Sequence, residues 1–197
     1  MKQTPIDYFV FLSLSNSVGE WGEANFGATT PENVSDPALG FLEEIGELTH
    51  AILKKKQGIR GTPEEHDAAA RDALGDMGIF LLHLWFRQTK LDPSIRMNIG
   101  ALTRYTGAPP DEDYPGATQD MLGRLAMGAA ELLLVRTIHQ VDFAERWARA
   151  YELALAVSHS AASKLGVDFW PQVRETWERI VSKRNWIANP SGTPEVD

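Results

Sequence analysis

Apolar residues recur at intervals of three and four along most of this chain, the spacing that gives an α-helix one buried face. The pattern predicts a first helix over 4–19. A loop over 20–36 follows, marked by Gly19 at its edge and by Gly22, Gly27, Pro31 and Asn33. Asp36-Pro37 supplies an N-cap and a proline at the first helical position, so a second helix is predicted over 37–56. Lys54-Lys55-Lys56 and Gly58 suit its C-terminal end, with cations at the negative terminus and a residue free to turn left-handed. Thr62-Pro63-Glu64-Glu65 has the form of a capping box and opens a third helix over 63–91. Asp92-Pro93 starts a fourth. Gly107, Pro109, Pro110, Pro115 and Gly116 mark a second loop over 105–116. Further helices are predicted over 117–140, 143–165 and 169–184, with a loose polar tail over 191–197. No alternating pattern of strand length appears. The expected architecture is a single all-α domain over 1–190. Leu39-Gly40-Phe41-Leu42 and Leu122-Gly123-Arg124-Leu125 open similar segments, which suggests a duplicated helical hairpin. The second copy is degenerate, with Ala126, Met127 and Ala130 in place of Glu43, Glu44 and Glu47.

Charge and composition narrow the function. The 197 residues carry 19 Lys and Arg against 27 Asp and Glu, a formal net charge of −8. So acidic a chain lacks the clustered positive charge of a nucleic-acid surface, and no nucleic-acid partner is expected. The absence of cysteine excludes disulfides, thiolate nucleophiles and iron–sulfur ligation, and fits a reducing cytoplasm. Tyr8-Phe9-Val10-Phe11-Leu12 lacks the basic start and cleavage site of a signal peptide. The longest apolar run, Ile79 to Phe86, is broken by His83 and is too short to span a bilayer. A soluble cytoplasmic protein with no membrane partner is expected.

The candidate chemistry lies in Glu43-Glu44-Ile45-Gly46-Glu47. At about 100° per residue, Glu47 falls about 40° and Glu44 about 100° round the helix from Glu43. His50 and Lys54 continue this face, whereas Leu42, Ile45, Leu48 and Ile52 form the opposite, packing side. Like charges so placed repel, and three carboxylates alone fit a solvated face. The third helix changes that picture. Asp72 and Asp76 share one of its faces, with His83 and Arg87 further along it, and the run from Ile79 to Phe86 makes this a core helix. A short connection makes the two helices antiparallel neighbours, so five carboxylates converge. Buried carboxylates need compensation, and an all-oxygen set suits Mg²⁺ or Mn²⁺.

The order Glu-Glu-x-x-Glu, a spacer, then Glu-x-x-Asp is the signature of the MazG-like superfamily of all-α nucleotide pyrophosphohydrolases. The chain resembles that family over roughly residues 37–92. Glu43, Glu44 and Glu47 match the first half and Asp76 the final Asp. His50 to Lys54, Gln57 to Gly61, and the C-terminal run Val181 to Pro190 also look like phage and bacterial members. Three departures stand out. Ala73 occupies the place of an acid, with Asp72 one position earlier; Asn185 occupies the place of an Asp; and residues 93–165 exceed the length of short members. The resemblance implies Mg²⁺- or Mn²⁺-dependent hydrolysis of a (d)NTP to a (d)NMP and pyrophosphate by a homodimer or homotetramer. It points to the cytoplasm of a bacterium or of a phage's bacterial host. Phage members that act on (d)GTP imply a purine, specifically guanine; a dimeric dUTPase or a phosphoribosyl-ATP hydrolase lies within the same superfamily.

On this reading Glu44, Glu47 and Asp76 are metal ligands, Asp72 is a ligand or supports one, and Glu43 orients or deprotonates the attacking water. Lys54 is placed to reach a phosphate or to cap its helix. Lys183 and Arg184 resemble the family's basic pair and would neutralise pyrophosphate. Trp21, Asn25 and Phe26, in the loop before the acidic helix, offer a ring for a base to stack on. His50 is a neighbour of the cluster, Arg60 a loop charge, and Trp85, Trp147, Trp170 and Trp177 are core or interface residues. Two other functions compete. Glu47-Leu48-Thr49-His50 supplies one Glu-x-x-His of an oxidative di-metal bundle, but no second such motif is present. A non-catalytic helical interaction protein would carry the same carboxylates as a vestige.

Overall fold

The computed structural model describes residues 3–97, 117–135 and 142–187, and every regular element among them is helical. The all-α expectation stands. The elements are α1 (Tyr8–Phe26), α2 (Asp36–Gln57), α3 (Pro63–Leu91), α4 (Ala117–Leu134), α5 (Phe143–Lys164) and α6 (Phe169–Arg179), followed by one 3₁₀ turn at Val181–Lys183.

The first helix departs most from its predicted span of 4–19. Residues before Tyr8 stay outside the helix, where Gln3 and Thr4 bond to the segment before α6. Gln3 Nε2 donates to Val167 O at 2.8 Å, its Oε1 accepts from Phe169 N at 2.9 Å, and Thr4 N donates to Asp168 Oδ1. Asp7 then caps α1, accepting from Phe9 N and Val10 N. At the other end, Gly19 and Gly22 do not break the helix. Both are buried, and a Cβ on either would overlap Phe86 or His83 of α3, so they are the points where α1 and α3 approach closely.

Other boundaries shift for local reasons. Ser35, not Asp36, is the N-cap of α2, and Pro37 lies in its first turn. The capping box of α3 is present in full: Thr62 Oγ1 accepts from Glu65 N at 3.2 Å, and Glu65 Oε2 accepts from Thr62 N at 2.7 Å. Asp92-Pro93 opens a turn, with Asp92 Oδ1 accepting from Ser94 N at 3.0 Å, and the rest of the fourth helix expected from there lies outside the described residues. The predicted loop over 105–116, the end of the helix predicted over 117–140 and the tail over 191–197 lie outside the described residues. The last helix ends at Arg179, not at 184, and Arg184 is extended.

The buried core gathers on α3, which packs against α1, α2, α5 and α6, while α4 and α5 pair as a second hairpin that reaches α2 through α4. Helices α2 and α3 run antiparallel, since Gly40 meets Phe80 near one end and Lys55 pairs with Asp67 near the other. Phe11, Trp85, Trp147, Tyr151 and Trp170 form a continuous aromatic cluster with centroids 5.1 to 5.9 Å apart. Burial keeps the Tyr151 hydroxyl protonated, and it donates to Leu81 O at 2.9 Å. Trp85, Trp147 and Trp170 are core residues and Trp177 is half-buried against them, as expected. No described helix is long and apolar enough to cross a membrane.

Candidate carboxylate site

The α2–α3 hairpin brings the five acidic residues together unequally. Ile45, Leu48 and Ala51 of α2 pack inward with Phe41, and Glu44 is drawn in with them, to 9% exposure. Leu42, expected on the packing side, is 42% exposed, because the buried strip runs through Phe41, Glu44, Ile45 and Leu48 and leaves Leu42 at its margin. Glu43, Glu47 and Asp72 are exposed, and Asp76 is half-buried.

The electrostatics register the convergence. Burial pushes the Glu44 carboxyl up to about 8, reinforced by Asp76, Glu47, Glu43 and Asp72 in that order. Asp76 is raised to about 6 by burial, then by Asp72, with Arg184 acting against the shift and Glu47 adding to it. Glu44 Oε2 is buried with no hydrogen-bond partner. An unpaired buried carboxylate oxygen beside four further carboxylates is costly for a protein without a cation at that point. Ala73, where the resemblance would place an acid, is 1% exposed in the core, whereas Asp72 acts on both Glu44 and Asp76. The donor chemistry therefore fits a hard divalent cation. Among the described residues, however, no three His, Asp or Glu side chains already stand as a ligand set.

A hollow of about 770 Å³ opens on the Glu43 and Glu47 side of α2, lined also by His50, Arg60, Glu65 and His66. Its rim is the α2–α3 connection, where Arg60 adopts a left-handed backbone, φ 62°, between Gly58 and Gly61. That conformation strains a residue with a Cβ. His66 Nε2 stands 3.1 Å from Ile59 O and ties the connection to α3. Arg60 and His66 belong to the site region, which their loop and helix-start positions did not signal; the capping box that orients this turn was the available clue.

The basic and aromatic candidates fall differently from expectation. Lys54 Nζ donates to Gln57 Oε1 at 3.1 Å, and it is not among the charges acting on Glu44 or Asp76. Lys183 is exposed, and Arg184 is the residue that reaches Asp76 electrostatically. Trp21 and Asn25 lie on α1 rather than in a loop. Trp21 Nε1 donates to Arg184 O at 2.9 Å, and Asn25 Oδ1 accepts from Trp186 N at 2.7 Å. The Trp21 ring is packed edge-on against Phe26 and Trp177, so it is not a free stacking platform.

His83 and Arg87 share a side of α3 with the aspartates but serve another purpose. Arg87 Nε donates to His83 Nε2 at 2.8 Å, and Arg87 NH1 donates to Asn33 O at 2.7 Å, which anchors the 27–35 loop. Burial, helped by Arg87, holds the His83 pKa down at about 4. A folded-state pKa below the unfolded value of about 6.5 gives stability that is full above pH 6.5 and is lost as the pH falls towards 4. The His83→Gln variant keeps an acceptor for Arg87 without the titration. Its melting temperature relative to wild type is expected to rise steadily from pH 6.5 to 4, and a constant difference across that window would refute this role.

The chain matches no protein-family model, no curated protein and no solved structure.

Proposed function

We propose that the protein is a metal-dependent nucleoside triphosphate pyrophosphohydrolase. The observation that carries this reading is the buried, unpartnered Glu44 Oε2 among carboxylates from two antiparallel helices. The resemblance of residues 37–92 to MazG-like enzymes supports it. Glu44, Glu47, Asp72 and Asp76 would hold Mg²⁺ or Mn²⁺. When bound, such a cation offsets the charge of the phosphates and makes a water more acidic. Glu43, exposed on the same face, orients or deprotonates the water that attacks the α-phosphorus. The α–β anhydride bond breaks, giving a (d)NMP and pyrophosphate. A purine substrate, guanine in particular, a homodimeric or homotetrameric state and a cytoplasmic setting follow from the resemblance alone.

A second reading, a non-catalytic interaction protein with a vestigial cluster, draws on the absence of a ready-made ligand trio among the described residues. Two measurements separate the two readings. Each ribo- and deoxyribonucleoside triphosphate is incubated with the protein and Mg²⁺ or Mn²⁺, and the products are resolved by chromatography. Monophosphate plus pyrophosphate is expected; diphosphate plus phosphate would discard attack at the α-phosphorus. Thermal melting with Mn²⁺ against chelator is the other. At a hundredfold excess over its dissociation constant the ion is expected to add about 2.7 kcal/mol, a rise of roughly 5 to 10 °C. No rise together with no turnover would leave the interaction protein.

A further inference from the structure

The segment that follows α6 returns to α1. After α6 and the 3₁₀ turn, the backbone straightens at Arg184, with φ −75° and ψ 135°, and crosses the C-terminal part of α1. Two α1 side chains one helical turn apart receive it. Trp21 Nε1 donates to Arg184 O, and Asn25 Oδ1 accepts from Trp186 N. The two are tied to each other, since Asn25 Nδ2 donates to Trp21 O at 2.9 Å. The Trp21 ring also meets Trp177 of α6, with centroids 6.0 Å apart, and the Arg184 guanidinium lies 5.7 Å over the Trp186 ring. The two hydrogen bonds lie just C-terminal to the Arg184 Cα, one at its own carbonyl and one at the amide two residues on, and Arg184 N donates to Val181 O at 3.0 Å on the other side. They fix its backbone while its side chain stays exposed. Helix α6 packs on α3 at Gly75, beside Asp76, where a Cβ would overlap Thr176. Arg184 follows the end of α6 by five residues, which brings the segment to the α3 side of the cluster. In keeping with that placement, the guanidinium opposes the upward shift of Asp76.

We propose that Trp21 and Asn25 are positioning residues, a latch that holds the 184–186 segment so that the Arg184 guanidinium meets the departing pyrophosphate. This deepens the pyrophosphohydrolase reading and rests on it. Charge on the leaving group grows as the anhydride bond breaks, so a guanidinium held there in advance works chiefly in the transition state. A guanidinium on an unlatched segment would spend its binding energy on ordering the chain.

The test uses the full-length protein and three substitutions. Trp21→Phe keeps the ring against Phe26 and Trp177 but removes the N–H. Asn25→Ala removes the acceptor for Trp186. Arg184→Ala removes the cation itself. Hydrogen exchange by mass spectrometry is expected to show faster exchange at 181–187 in the first two, with α2 and α3 unchanged. Each is expected to lower kcat by about tenfold or more with KM nearly constant, as Arg184→Ala does. In the Arg184→Ala background Trp21→Phe is expected to cost nothing further, because both changes remove the same interaction. Unaltered exchange at 181–187 would overturn the proposal. So would a released segment with wild-type kcat, or full additivity with Arg184→Ala, while wild-type turnover kept the pyrophosphohydrolase reading intact. If the wild type converts no nucleotide, that reading falls and the latch's catalytic role falls with it.

Discussion

Glu47→Gln is expected to abolish nucleotide turnover, with a loss in kcat of roughly a hundredfold or more, while leaving the protein folded. The two halves of this expectation have different causes. Glutamine keeps the length and shape of the side chain but removes the anionic oxygen that a hard cation prefers. Glu47 is exposed on α2, so the change leaves no cavity and breaks no packing. Its charge also raises the pKa of both Glu44 and Asp76, so removing it relieves repulsion in the metal-free state. The melting temperature without metal should therefore equal or exceed that of the wild type, and the rise produced by Mn²⁺ should shrink. Steady-state kinetics and melting curves on the same preparation check both halves. Full activity would remove Glu47 from the site, and a collapse in stability would mean that its role is structural.

Gly75→Ala is expected to destabilise the protein by about 1 to 2 kcal/mol, although alanine is the better helix former. Gly75 lies inside α3 beside Asp76, and a Cβ there would overlap Thr176 Oγ1 of α6; three residues on, one at Gly78 would overlap Val173. Thr176 and Val173 are 2% and 0% exposed, so neither can move into solvent. A gain of up to about 1 kcal/mol from helix propensity is set against an overpacking cost of typically 1 to 3 kcal/mol, and the contact wins only because its neighbours are confined. Since α6 leads to Arg184, the variant is also expected to lose activity beyond what its stability explains. Thr176→Ala in the same chain should restore part of the melting temperature, not all. The added Cβ would no longer meet Oγ1 but would still lie 2.9 Å from the Cβ of residue 176. A variant as stable as wild type would show that the α3–α6 contact is slack.

The candidate site was legible in the sequence as far as local rules reach. Helical spacing placed Glu43 and Glu47 on one face of α2 and Asp72 with Asp76 on one face of α3, and both pairs lie there. The capping box and the short connection set the hairpin, and with it the meeting of the two acidic faces. What spacing leaves open is which carboxylate is buried. Glu44 goes in and its neighbours stay out because the strip that packs on α3 includes Phe41, Ile45 and Leu48, a choice made by the partner helix.

The glycines carry the same lesson. Gly19 and Gly22 signalled a loop, because glycine is the commonest punctuation between helices. In the fold they mark the crossing of α1 and α3, where absence of a side chain admits Phe86 and His83. Trp21 and Asn25 were misplaced with them, and so the candidate base platform is instead a hydrogen-bonded seat for the chain's last described residues.

The sequence by itself determined the helical class, the start of α3 and the faces that the acidic residues share, since each depends on residues within a few positions of one another. Only the tertiary structure decided that α1 runs through its glycines, that Glu44 is the buried carboxylate and that the segment from Arg184 to Trp186 is seated on α1. Those outcomes depend on contacts between segments as much as 163 residues apart, as from Trp21 to Arg184, and no local periodicity encodes which surfaces will meet.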